Sequence, residues 1–168
     1  TEPEEAMRLR DWGFGEEEIL VLRSTANEEE VKKILQAGAT ATVGSYDAAL
    51  ALNGLAESQG MMCDVHVKVD TGMGRAGLLP HSVAEMGARL ADFENLYIEG
   101  VYSHLSAAAE DISFTHSQIR SYENAVAELS TYLNIPYRHL CSSSAVFNYK
   151  APCTNMVRLG RILYGDLS

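Results

Sequence analysis

Lys68-Val69-Asp70-Thr71-Gly72-Met73-Gly74-Arg75-Ala76-Gly77 follows directly on the apolar alternation Asp64-Val65-His66-Val67. The pattern predicts a β-strand over 64–69 that delivers its carboxyl end into a glycine-rich loop. Glycines at such a junction let the backbone turn sharply and approach a ligand closely, while the strand fixes Lys68 and the loop presents Arg75. Two cations at one strand end are more than a plain turn needs. The stretch is read neither as a Walker A loop, whose Gly-Lys-Ser/Thr ending is missing, nor as a dinucleotide-binding turn. Taken alone it also fits a tight turn with one surface arginine, so the neighbouring segments must decide.

Working outward, short apolar runs alternate with helical patterns. Strands are expected at Ile19–Leu22, Ala39–Val43, Asp64–Val69, Leu96–Tyr102, Tyr137–Ser142 and Asn155–Leu159. Helices are expected over residues 4–12, from an Asn27 cap through Val31, Ile34 and Leu35 to a stop at Gly38, over Asp47–Leu55 and Ser82–Leu90, and over Ser113–Leu133, with Pro136 beyond. Each strand is separated from the next by a segment long enough for a parallel connection, which makes the chain one continuous α/β unit. Two layouts fit: an open doubly wound sheet, or an incomplete eight-stranded parallel barrel of TIM type.

Composition bounds the function. The chain has 168 residues, 46% hydrophobic and 21% charged, enough for one domain with its own core. Three cysteines in this length exclude a disulfide scaffold, and Cys63, Cys141 and Cys153 lack Cys-x-x-Cys spacing, so no metal is expected. The net charge of -10 argues against nucleic acid. No apolar run reaches membrane-spanning length, and no basic, then apolar leader follows Thr1, so a cytoplasmic setting is expected. The acidic runs Glu2–Glu5, Glu16–Glu18 and Glu28–Glu30 read as solvated helix starts. His66, His81 and His116 read as surface or packing residues, and Met61, Met62 and Met73 as gap-fillers.

The decamer resembles the signature of alanine racemase, a family of pyridoxal-phosphate enzymes built on a barrel followed by a β domain. The resemblance continues in order through Glu99-Gly100-Val101-Tyr102-Ser103-His104, His139-Leu140-Cys141-Ser142-Ser143 and Asn155-Met156-Val157-Arg158-Leu159-Gly160-Arg161-Ile162-Leu163-Tyr164-Gly165. Each of these motifs sits at a predicted strand's carboxyl end. On this likeness the chain is a partial cofactor-binding barrel domain over 1–168, with the first two strands and the β domain absent.

The resemblance implies roles residue by residue. Arg75 would contact the phenolic oxygen of pyridoxal 5′-phosphate and the substrate carboxylate. Lys68 would be the carbamylated lysine that holds Arg75, and His104 would lie against the pyridine ring. Ser143, with Ser144 as the alternative if the loop shifts by one, would bind the phosphate together with the N–H groups of Gly160 and Arg161. Arg158 would face the pyridine nitrogen and keep it unprotonated. Cys141, beside this loop, is expected to pack rather than react.

The implied activity is interconversion of L- and D-alanine for peptidoglycan precursors, by a homodimer acting on a small amino acid. Two features depart from the pattern: most alanine racemases carry asparagine at the position of Ser142 and an apolar residue at that of Arg161. Ser142-Ser143 followed by Phe147-Asn148-Tyr149 is closer to serine racemase domains of vancomycin-resistance type, which leaves serine as an alternative substrate. A non-catalytic pyridoxal-phosphate carrier is the other alternative. The Schiff-base lysine belongs at the end of the family's first strand. Lys32 and Lys33 fall in a helix and Lys150 in a loop, so the isolated chain is expected to turn over negligibly.

Overall fold

The computed structural model describes residues 2–166. Six strands, β1 (Leu20–Ser24), β2 (Thr40–Val43), β3 (Cys63–Lys68), β4 (Leu96–Tyr102), β5 (Tyr137–Ser142) and β6 (Met156–Arg158), form one sheet in that order, and every neighbouring pair is parallel. The helices are α1 (Pro3–Asp11), α2 (Glu28–Gln36), α3 (Tyr46–Ser58), α4 (Val83–Ala91) and α5 (Ile112–Leu129). A doubly wound sheet reverses its strand order at a switch point; this one advances in a single direction, which right-handed crossovers turn into helices on one face only. That is barrel construction.

The sheet is also strongly curled. In a flat sheet β1 and β4 would lie about 14 Å apart, yet the Tyr102 hydroxyl on β4 donates to the carbonyl oxygen of Leu22 on β1 over 3.1 Å. The curvature separates two environments. On the convex side, Ala41, Val43, Val65, Val67, Val101 and Leu140 are fully buried in one apolar cluster with Val31, Ile34, Leu52, Leu90 and Leu129 from the helices. On the concave side, Thr42, His66, Lys68, Tyr102 and His139 are buried against one another through hydrogen bonds and ring contacts. Alternation along each strand therefore sorts apolar residues outward and polar ones inward.

Local sequence explains the helix limits. Asn27 Oδ1 accepts from the N–H groups of Glu29 and Glu30, and Ser45 and Asp111 cap α3 and α5 in the same manner. Gly38, at φ +53°, ends α2 with paired bonds from its own N–H to Leu35 O and from Ala39 N–H to Ile34 O. α5 stops at Leu129, short of the expected Leu133, because the hydroxyls of Ser130 and Thr131 turn back onto the carbonyls of Val126 and Glu128. α3 runs to Ser58, three residues past its expected end at Leu55, and the other elements lie within about two residues of their sequence-expected bounds, an ordinary scatter at helix and strand ends.

Other expectations need correcting. Glu16–Glu18 opens no helix: it lies in the connection from α1 to β1, where Glu17 O accepts from Arg10 Nη1 at 2.8 Å. Met61 and Met62 fill no gap, since both are exposed beyond the end of α3. His66, read as a surface or packing residue, takes the second of those roles and is deeply buried. Leu140 has no exposed surface beneath the helical layer, so Leu140→Ala is expected to cost about 2–5 kcal/mol. The measurement is a lower urea midpoint at an unchanged denaturant slope.

Candidate functional site

At the carboxyl ends of the strands the concave face opens into a cavity of about 760 Å³. Lys68, Arg75, His104, Ser143, Arg158, Gly160 and Arg161 all line it, and so do Ser142 and Ser144. The sequence-singled residues therefore converge. Tyr102, Arg23 and Glu2 line it as well; no local pattern singles these out, because a barrel-interior tyrosine reads like any core aromatic and Arg23 and Glu2 like any surface charge.

Arg158 is the most constrained group. Its Nη1 donates to His139 Nδ1 at 2.6 Å, and Nη2 donates to Ser103 O at 2.7 Å and Leu140 O at 3.2 Å. Its guanidinium lies 5.1 Å over the Tyr102 ring, which in turn stacks on His139 at 4.9 Å and 8°. Burial pulls its pKa below the ordinary arginine value, but a guanidinium in a protein stays protonated. Carbonyls at the ends of β4 and β5 thus serve as its partners.

Lys68 ends β3 with its Nζ 5.7 Å over the same ring. Burial first, then Arg75, lower its pKa from the ordinary lysine value. Arg75 is exposed on the following loop. Asp70 Oδ1 shapes that loop by accepting from the N–H groups of Gly72, Met73 and Gly74 at 3.0, 2.8 and 3.1 Å. Burial opposes ionisation of Asp70, but these N–H groups outweigh it and hold the carboxyl below its usual range.

Gly77 closes the loop at φ +129°, where an added Cβ would meet Asp70 N at 2.8 Å. Gly72, Gly74 and Gly77 do have Gly-x-Gly-x-x-Gly spacing, but the next turn of helix begins only at Pro80 and α4 at Val83. No helix N-terminus is therefore presented as dinucleotide binding requires.

His104 sits at the end of β4, its carbonyl oxygen 3.4 Å from Nε2 of the buried Gln118 on α5. Its Nδ1 is 3.4 Å from Arg158 Nη2. Burial, reinforced by Arg158 and Arg75, lowers its pKa to about 4, so the ring is neutral at pH 7. Across the cavity Gly160 N–H donates to Ser143 Oγ at 2.9 Å, which joins the β5 loop to the turn Arg161–Tyr164. Ser142 Oγ and Ser144 Oγ bond to each other at 3.2 Å. Cys141 packs: burial raises its thiol pKa.

The electrostatics run against the whole-chain balance. Among the described residues, Arg23, Lys68, Arg75, Arg158 and Arg161 face one lining carboxylate, Glu2, which is already paired with Arg23. Among the described residues no carboxylate forms an ion pair with Lys68, Arg75 or Arg158. In a chain of net charge -10, that is a site made for anions.

A family profile described as "Alanine racemase, N-terminal domain" matches residues 1–168. The chain belongs to the alanine racemase family. It is 36% identical over 164 residues to an alanine racemase of Methanococcus maripaludis, covering 96% of this chain and 43% of that one. A relative from Halothermothrix orenii is 33% identical over 165 residues, 97% of this chain and 43% of its own. The solved alanine racemase of Clostridium difficile 630 superposes with a TM-score of 0.89 at 32% identity, covering 97% of this chain and 43% of the other. This chain thus spans under half the length of the racemases it matches.

The buried imidazoles make folding sensitive to acid. Burial, with Arg158 next, lowers His66 to about 4 and His139 to about 2. Above pH 6.5 these rings are neutral whether the chain is folded or not, and carry no penalty. Below it the unfolded chain takes up protons that the native rings, His104 included, refuse. The urea midpoint should therefore fall steadily from pH 6.5 to 4, and a flat profile across that window would contradict the burial described.

Proposed function

We propose that this chain is the cofactor-holding part of an amino-acid racemase, binding pyridoxal 5′-phosphate and the carboxylate of alanine. The observation that carries the reading is the set of three cations without carboxylate partners, Lys68, Arg75 and Arg158, around a cavity that also holds Ser143 Oγ and Gly160 N–H. Those donors fit a phosphate ester with a polar aromatic ring. Ser143, Gly160 and Arg161 would hold the phosphate, Arg158 and His104 the ring, and Arg75 the phenolic oxygen and the amino-acid carboxylate.

When bound, pyridoxal phosphate supplies an electron sink that acidifies the Cα–H of an amino acid. The chain's own residues set the limits of that chemistry. Arg158 can only donate, so a ring nitrogen it meets must accept and stay unprotonated, which restrains the sink and favours simple proton exchange. Lys68, with its pKa lowered by burial and Arg75, is suited to react as a free amine with carbon dioxide, giving a carbamate and a proton. The new anion would turn repulsion of Arg75 into attraction and aim the guanidinium into the cavity.

Lys68 is the one lysine lining the cavity among the described residues; Lys32 and Lys33 are engaged with carboxylates on and beside α2, and Lys150 is exposed. The chain therefore binds and orients, and the two proton-transferring groups are supplied from outside its described residues, one of them by a partner subunit of a homodimer. The setting would be cytoplasmic, and the product D-alanine for peptidoglycan.

Titration with pyridoxal 5′-phosphate tests this. The wild-type chain is expected to bind, Ser143→Ala and Arg158→Ala to bind at least about tenfold more weakly, a loss of about 1.4 kcal/mol, and borohydride to trap no covalent adduct on any lysine. Binding unchanged in both variants refutes the assignment of the site, and a reduced lysine adduct points instead to a carrier protein.

A further inference from the structure

Beneath the cavity floor a chain of hydrogen bonds runs the length of the barrel interior. His139 Nε2 lies 2.8 Å from His66 Nδ1, and His66 Nε2 lies 3.1 Å from Glu99 Oε2, which also accepts from Thr40 Oγ1 at 3.2 Å. Both imidazoles are enclosed, at 0% and 3% exposure for His139 and His66. At the other end stands Arg158, 2.6 Å from His139 Nδ1.

The donor inventory fixes the direction. A guanidinium has no acceptor, so His139 Nδ1 must carry the lone pair and Nε2 the proton. That N–H can be received only by an unprotonated His66 Nδ1, which puts the second proton on His66 Nε2. Glu99 must then accept. Reversing any one link would place two N–H groups face to face in a buried site. The depressed pKa values of both rings agree with two neutral, single-tautomer imidazoles.

Two backbone features show that the arrangement is built. Strand pairing runs Val65 with Ile98 and then His66 with Gly100, so Glu99 is the extra residue of a bulge in β4. Such a bulge re-aims a side chain that regular alternation would send elsewhere. At Gly100 an added Cβ would lie 2.6 Å from the His66 ring, so the missing side chain there is what admits the imidazole.

We propose that Glu99 is a positioning residue for Arg158: it accepts the last bond of a one-way relay, Arg158 to His139 to His66 to Glu99, and so holds the guanidinium against the cavity. Glu99 does not line the cavity. What Arg158 then does to a bound ring rests on the function proposed above; the relay itself does not.

The test joins two readouts on the full chain. Nitrogen-15 spectra of the imidazoles should show His66 and His139 neutral and each protonated at Nε2. Glu99→Leu, which cannot accept, should shift the His139 Nδ1 and Arg158 Nη signals and weaken pyridoxal 5′-phosphate about tenfold, as loss of an outer-shell partner does. Binding of inorganic phosphate should be unchanged, because Ser143 and Gly160 lie apart from the relay. Glu99→Gln, which keeps an acceptor oxygen, should restore the wild-type pattern.

A proton on Nδ1 of either ring in the wild type overturns the proposal, and that reading holds even where a variant does not fold. So do a Glu99→Leu chain with unmoved Arg158 and His139 signals, and a Glu99→Gln chain as impaired as Glu99→Leu. If the wild type binds no pyridoxal phosphate, the functional reading fails and the ring spectra still decide the relay.

Discussion

A half-buried guanidinium that, among the described residues, no carboxylate pairs with is the constraint around which the concave side of this barrel is arranged. Arg158 offers donors only, and burial makes any unpaired donor costly. Its needs are met by carbonyls at the ends of β4 and β5 and by His139, whose second nitrogen must then find an acceptor of its own. The demand passes inward until it reaches Glu99. A polar barrel interior is the result, and the folding free energy must come mainly from the other side of the sheet, where valines and leucines meet the helices.

The same arrangement separates the surface from the site. Most acidic residues lie on exposed helices and loops, often paired with nearby lysines and arginines, while the cavity keeps its basic groups. A small anionic ligand would meet a local field opposite in sign to that of the molecule as a whole. Walls of low polarizability concentrate such a field in a cleft.

How much of this was legible in the sequence follows from the range of each interaction. Strand and helix order could be read because period and capping are local: Asn27, Gly38 and the alternation in 64–69 each act within a few residues. Period and capping alone left barrel and open sheet both standing; the resemblance carried by the ordered motifs chose the barrel, and the single-direction strand order bears it out. The ordered motifs named the residues that line the cavity because each sits at a strand end. The partners beneath them were hidden. His66 is two strands from His139 and 73 positions away, and Glu99 looks like any surface glutamate until a bulge in β4 redirects it. Met61 and Met62 failed as core residues for the opposite reason, since they follow the end of α3 and face solvent.

The loop that carries Arg75 is braced from within. One oxygen of Asp70 gathers three successive N–H groups, so the turn needs nothing from a ligand to take its shape. Its conformational entropy is surrendered when the chain folds, and capture of an anion need immobilise little beyond the arginine's own rotamers. Residence time at such a mouth is then governed by the reach and freedom of one long side chain, with the backbone acting as a rigid hinge-post.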